Sequence, residues 1–187
     1  MDEDVTPEQL GGEDRRAALE RVVAEVVEPV RRYLARRTDQ ATAEDVLSET
    51  LLVLWRRLED VPPHEPVPWA VGVARLQLAN ATRSARRQER VAAKETVHAV
   101  AGPPVRDPAE TTTDKVLLEH ALAQLRPGDA ELLRLWAWED MDAKAIATAQ
   151  GASPGTVAVR LTRARARLRQ QLEALGAGSD ARGEGAR

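Results

Sequence analysis

The chain contains no cysteine at all, which removes disulfides, thiolate metal sites and cysteine nucleophiles from consideration. Phenylalanine is also absent, and aromatic residues reach only 3 %. Its cores must be built from Leu, Val, Ala and a few Trp, a composition that favours helices over a β-sandwich. No apolar run approaches the ~18 residues needed to cross a bilayer, so membrane insertion is not expected. The first residues lack a basic segment followed by an apolar one, so the expected location is cytoplasmic. The three histidines, His64, His98 and His120, are far apart in sequence. Metal-ligand spacing, a phosphate-cradling glycine loop and a nucleophile elbow are all missing. Catalysis, a cofactor, a metal and a small-molecule substrate are therefore not expected.

Charge is plentiful but balanced: charged residues make up 30 % of the 187 and the net charge is −3. That total says nothing about nucleic acid; the distribution along the chain does. Among 27 basic residues only Lys94, Lys115 and Lys144 are lysine. Arginine is the better fork for phosphates and base edges, although a GC-rich genome produces the same bias.

Hydrophobic periodicity predicts an all-α fold of two small helical domains joined by a flexible linker. Residues 1–14 read as a disordered acidic leader. Residues 15–90 carry helical patterning, broken by the proline-dense 61–68, which reads as a largely extended loop. Residues 91–113 lose amphipathic order and contain Gly102-Pro103-Pro104 and Asp107-Pro108, the marks of a linker. A second helical block spans residues 114–175, and the Gly- and Ala-rich 176–187 reads as a flexible tail.

The sharpest local signal lies in residues 142–175. Asp142 suits the cap of a short helix over 143–150, and Gly151 suits its exit. Ser153 and Pro154 then fit the cap and first position of a further helix. Two helices joined by a short turn containing Gly follow the helix-turn-helix plan. At 100° per residue Val157, Leu161, Ala164, Leu168, Leu172 and Leu175 fall in one stripe. Thr156, Arg160, Arg163 and Arg167 gather on another face, and no acidic residue occurs from Thr156 to Gln171. A charge run alone is ordinarily a solvated face. On the second helix of a capped helix-turn-helix it points to DNA.

In the first block, residues 43–58 read as one helix, with Leu47, Leu51, Leu54 and Leu58 forming a stripe and Trp55 at its edge. Asp45, Glu49, Leu52 and Arg56 share a different face. That mixture suits a partner protein bearing basic residues, or else a solvated face with one exposed leucine. Further on, Arg75, Arg83 and Arg86 project towards one side of a helix, extended by Arg87 and Arg90 and accompanied by Asn80.

Residues Gly151-Ala152-Ser153-Pro154-Gly155-Thr156-Val157, then Arg160-Leu161 and Arg163-Ala164-Arg165-Ala166-Arg167-Leu168, resemble region 4 of the extracytoplasmic-function RNA polymerase sigma factors. Ala43-Glu44-Asp45-Val46-Leu47-Ser48-Glu49-Thr50 with Trp55-Arg56 resembles region 2 of the same family. Pro68-Trp69-Ala70-Val71-Gly72-Val73-Ala74-Arg75 resembles that region's Trp-x-x-x-Ile-Ala-Arg signature. The sequence departs from the family pattern at Leu76, Gln77, Asn80, Asp140 and Ala158.

The resemblance implies an alternative sigma factor with core RNA polymerase and promoter DNA as partners, and an inhibitory anti-sigma factor as a further one. It assigns core-polymerase binding to Asp45, Glu49, Leu52 and Arg56. Engagement of the −10 element falls to Arg75, Asn80, Arg83, Arg86 and Arg87, with the preceding loop receiving an unstacked base. Recognition of the −35 element falls to Ser153, Thr156, Arg160, Arg163 and Arg167. A linker of about 23 residues reaches at most roughly 75 Å, close to the ~70 Å of two DNA turns. The competing reading is a free-standing helix-turn-helix regulator whose first block is a sensor or dimerisation domain.

Overall fold

The computed structural model describes residues 12–95 and 113–183, and every regular element among them is helical. Its helices are α1 (Gly12–Ala35), α2 (Gln40–Arg56), α3 (Pro66–Glu95), α4 (Thr113–Ala123), α5 (Pro127–Trp138), α6 (Ala143–Gln150) and α7 (Pro154–Gly183). They fall into two compact units, α1 to α3 in the first and α4, α5, α7 with most of α6 in the second.

In the first unit each helix packs on the other two. Val26, Val30, Tyr33 and Leu34 of α1 meet the level of burial reached by Val46, Leu47 and Leu54 of α2 and by Ala70, Val71 and Ala74 of α3. The α2 stripe read from sequence is the buried one in part: Leu47 and Leu54 are buried, Leu51 and Leu58 half-buried, and Trp55 exposed. Asp39 starts α2, its Oδ1 accepting the Thr42 amide at 3.0 Å and its Oδ2 the Thr42 hydroxyl at 2.8 Å. Those two bonds favour the ionised form and hold the Asp39 carboxyl below its usual range. Thr50 is buried, and its hydroxyl is satisfied by donating to the Val46 carbonyl at 2.7 Å. Pro29 lies inside α1, where its ring nitrogen offers no amide to the helix.

A 3-10 turn, Leu58–Asp60, follows α2. The proline-dense stretch is shorter as a loop than expected, because α3 begins at Pro66 rather than after Pro68. The first turn of a helix has no use for its amide hydrogens, so Pro66 and Pro68 sit there without cost. The first α3 bond runs from the Trp69 amide to the Glu65 carbonyl at 3.2 Å. At its other end α3 continues past Arg90 to Glu95. Residues 91–95 carry good helix formers and no Gly or Pro, so nothing local stops the helix where the linker was expected. Residues 12–14, expected as leader, already belong to α1, and Thr113, expected as linker, opens α4; residues 1–11 and 96–112 lie outside the described residues.

The second unit is built on a cluster of Leu122, Leu125, Ala130, Leu133, Leu161 and Ala164, with Leu118, Trp138 and Leu168 at its margin. The α7 stripe is buried at Val157, Leu161 and Ala164, and beyond them only half-buried at Leu168 and Leu175 and open at Leu172. Length explains the gradient. α4 and α5 have 11 and 12 residues against 30 for α7, so the long helix outruns the two that cover it. Residues 176–183, expected as tail, continue α7. Gly176 and Gly178 lower helix propensity by about 1 kcal/mol each relative to Ala, but without a left-handed exit they do not end a helix.

The α6–α7 junction follows the local rules closely. Asp142 Oδ1 accepts the Ala145 amide at 2.8 Å. Gly151 takes φ +62°, and the Ala152 amide bonds back to the Ala147 carbonyl at 3.0 Å, the closure of a Schellman turn. Ser153 Oγ accepts the Thr156 amide at 3.2 Å, with Pro154 opening α7. Just before α6, Asp140 also has positive φ, +52°.

Candidate functional site

On α2 the side chains of Asp45, Glu49, Leu52 and Arg56 are all exposed, opposite the buried Ala43, Val46, Leu47, Thr50 and Leu54. Their 4-3-4 spacing places them in one stripe along the helix. Asp45, Glu49 and Arg56 make no hydrogen bond or ion pair among the described residues. Leu52 is 46 % exposed and Trp55, next to the stripe, 51 %. The surface therefore combines unengaged charge of both signs with apolar area.

Sequence reading missed the residue that braces this stripe. Arg15 of α1 donates to the Trp55 carbonyl at 3.0 Å and to Glu59 at 3.3 Å, with its guanidinium 5.9 Å from the centre of the Trp55 ring. A partner 40 residues away leaves no periodic trace in the sequence.

Along α3, Asn80, Arg83, Arg86, Arg87 and Arg90 line one shallow hollow. Arg83 Nη2 donates to Asn80 Oδ1 at 2.5 Å, which leaves Arg86 and Arg87 exposed and unpaired among the described residues. Arg75 is not part of this hollow. It is half-buried two turns earlier, and its Nε is buried with no acceptor. The loop before α3 is bordered by a separate cavity of about 400 Å³, lined by Arg15, Val22, Leu58, Val61, Pro62 and Pro66 among others.

The α7 face is less uniform than its composition suggests. Ser153 and Thr156 are exposed, yet each is engaged in the helix cap, the Ser153 hydroxyl also donating to Thr156 Oγ1 at 2.8 Å. Arg163 is exposed and unpaired among the described residues. Arg167 Nη1 donates to Asp129 Oδ2 at 2.6 Å. Arg160 Nη2 reaches the Gly128 carbonyl at 3.5 Å and lies 3.9 Å from Asp129 Oδ1. On the other flank Arg165 stacks on Trp136 at 3.6 Å. Asp129 was not singled out from sequence, because a lone carboxylate at the start of a helix reads as an ordinary first-turn residue.

Among the described residues no group of three or more His, Cys, Asp or Glu side chains is gathered to hold a metal. No helix there is long and apolar enough to cross a membrane. The loop residue His64 and the α4 residue His120 are exposed, and His98 lies outside the described residues.

Comparison with known proteins matches both units. The family model for Sigma-70 region 2 covers residues 21–88, and that for Sigma-70, region 4 covers residues 115–168. The chain is 33 % identical over 151 residues to the ECF RNA polymerase sigma factor SigL of Mycobacterium tuberculosis, spanning 78 % of this chain and 83 % of that protein. It is 42 % identical over 69 residues to the RNA polymerase sigma-E factor of Streptomyces antibioticus, 37 % of this chain and 38 % of that one. Two solved structures share the fold. CnrH in complex with the cytosolic domain of CnrY superposes with a TM-score of 0.56 at 21 % identity, over 85 % of this chain and 90 % of that one. The sigma factor RpoE of Bartonella quintana, in complex with the anti-sigma factor NepR, does so with 0.54 at 19 %, over 82 % and 96 %.

Proposed function

This chain belongs to the extracytoplasmic-function RNA polymerase sigma factors, and from that premise we propose how its own residues divide the work of directing transcription initiation. Residues 15–90 bind core polymerase and the −10 element, residues 91–113 link, and residues 114–175 bind the −35 element. A sensor or dimerisation role for the first block is set aside, since Sigma-70 region 2 occupies residues 21–88.

The α2 stripe carries the proposal. Asp45, Glu49 and Arg56 are exposed and unengaged beside Leu52, which supports docking on a basic, partly apolar surface of core polymerase. Charge there steers and registers the encounter, while Leu52 and Trp55 supply area removed from water. Arg86, Arg87 and Arg90 hold the phosphates of the −10 segment while Asn80 and Arg83 act as one hydrogen-bonded unit. Arg75 joins them only if its half-buried guanidinium turns outward, since its Nε is buried in the present conformation. On α7, Thr156, Arg160 and Arg163 face the −35 major groove, Ser153 caps the helix that enters it, and Arg167 supports it.

The protein acts in the cytoplasm as a binding subunit and catalyses no step itself. An anti-sigma factor as a further partner is part of the proposal, supported by the fold shared with RpoE, whose structure is that of a complex with the anti-sigma factor NepR. In-vitro transcription with purified core polymerase on a promoter library tests the scheme. Start-site selectivity gained with this chain, and lost on Asp45→Arg with Glu49→Arg, supports it; selectivity indifferent to that pair overturns the docking assignment.

A further inference from the structure

The arginines of α7 are not equivalent, and the difference traces to one carboxylate. Asp129 occupies the third position of α5, and its side chain is 11 % exposed. Its Oδ2 holds Arg167 Nη1 at 2.6 Å, and its Oδ1 lies 3.9 Å from Arg160 Nη2. Residues 160 and 167 are two helical turns apart, so both reach the same point from one side of α7. The Gly128 carbonyl takes a second hold on Arg160 Nη2 at 3.5 Å. A Cβ at Gly128 would come within 3.2 Å of that same nitrogen. A methyl there would press on the free end of the arginine, which must give by a few tenths of an ångström.

We propose that Asp129, with Gly128 beside it, is a positioning residue for −35 recognition, fixing the course of Arg160 and weakening the attraction of Arg167 for DNA phosphates. This rests on the −35 reading of α7 given above. An arginine carries five N–H donors, and Arg160 is held through Nη2 alone, which leaves Nε and Nη1 for a base edge. Holding a long side chain in place before the encounter removes rotamer entropy that binding would otherwise cost. Arg167 is the anchor of the arrangement. Its side chain is 47 % exposed and keeps donors to spare, but the short contact to a largely buried carboxylate offsets its charge, so it adds less to sequence-independent attraction than an unpaired arginine.

The test uses the full chain assembled with core polymerase. Two promoters are compared, one with the intact −35 element and one with a single base pair in it replaced; binding of non-promoter duplex is titrated with salt. Asp129→Asn keeps the shape and removes the charge. The expected result is a several-fold fall in discrimination between the two promoters, with a salt slope steeper by about one as Arg167 is released to phosphate. Gly128→Ala leaves the carboxylate in place and is expected to reduce discrimination less than Asp129→Asn does, with the slope unchanged. Equal losses on both promoters at an unaltered slope, or no change in either variant, overturn the proposal. Should Asp129→Asn lose helicity by circular dichroism, Asp129→Glu takes its place: it keeps the charge and moves the carboxylate, and discrimination unchanged in it overturns the proposal. Arg160→Ala separates this inference from its premise: retained discrimination there refutes the −35 reading itself. Discrimination lost in Arg160→Ala but kept in both other variants refutes only the positioning role.

Discussion

Arg15 donates a hydrogen bond to the main-chain carbonyl of Trp55, 40 residues later, and so fastens the beginning of α1 to the end of α2. Carbonyls in the last turn of a helix lack amide partners, and a cation there is favoured by the helix dipole. The side chain is 40 % exposed, which limits what its ion pair with Glu59 contributes. Arg15→Ala is expected to cost about 1 kcal/mol, chiefly through the carbonyl bond. Arg15→Lys should recover only part, lacking the fork. Hydrogen exchange of the α1 and α2 amides in the full chain reads the effect; unchanged protection would show the bond to be idle.

Charge reversal at Asp45 and Glu49 together is expected to weaken capture by core polymerase about ten-fold or more, with helicity unchanged because both side chains are exposed. Leu52→Ala should weaken it less, through lost apolar area. Equilibrium titration of labelled protein with core polymerase measures both. Equal affinities for all variants would remove α2 from the interface.

Replacing Arg86 and Arg87 by Ala should reduce open-complex formation and flatten its salt dependence by about one unit of slope per lost phosphate contact. Arg83→Ala should do less, since Arg83 is already paired with Asn80. Promoter melting followed across a salt series decides between these orders.

Asp140 is a non-glycine residue at φ +52°. Left-handed backbone costs most side chains about 1–2 kcal/mol, and aspartate less. Asp140→Val should therefore lower stability by about 1–2 kcal/mol, whereas Asp140→Gly should not lower it. Thermal unfolding of the three proteins at one pH gives the comparison. A Val variant as stable as the parent would mean that the turn re-forms in another conformation.

The Thr42 hydrogen bonds depress the Asp39 carboxyl below its usual 3.8. A carboxylate with a lowered folded pKa stabilises the fold above its unfolded pKa, and that contribution disappears as pH falls through the folded value. The stability difference between the parent and Asp39→Asn should be constant from pH 5 to 7 and shrink below about pH 4. A difference independent of pH would assign the cap to shape alone.

How far these features could be read from the sequence depended on the distance over which each acts. The α6–α7 junction was legible because Asp142, Gly151, Ser153 and Pro154 each act within a few residues. The exposed face of α2 was legible from its periodicity. The end of α3 was misplaced because residues 91–95, Val-Ala-Ala-Lys-Glu, continue no amphipathic stripe yet contain nothing that stops a helix. Pro66 and Pro68 looked like helix breakers because the sequence alone does not reveal that they occupy a first turn. The pairings of Arg15 with Trp55 and of Asp129 with Arg160 and Arg167 were invisible, since only folding brings residues 31 to 40 positions apart together. Gly176 was taken as a stop, although glycine ends a helix only where the backbone turns left-handed.

At Gly151, by contrast, the backbone does turn left-handed, and no atom lies within 4 Å of where a Cβ would stand. Room is available; torsion is what selects glycine there. The elbow that aims α7 is therefore written into main-chain rotation and owes nothing to crowding by neighbours. Asparagine, which tolerates that rotation, is the substitution that should keep the elbow.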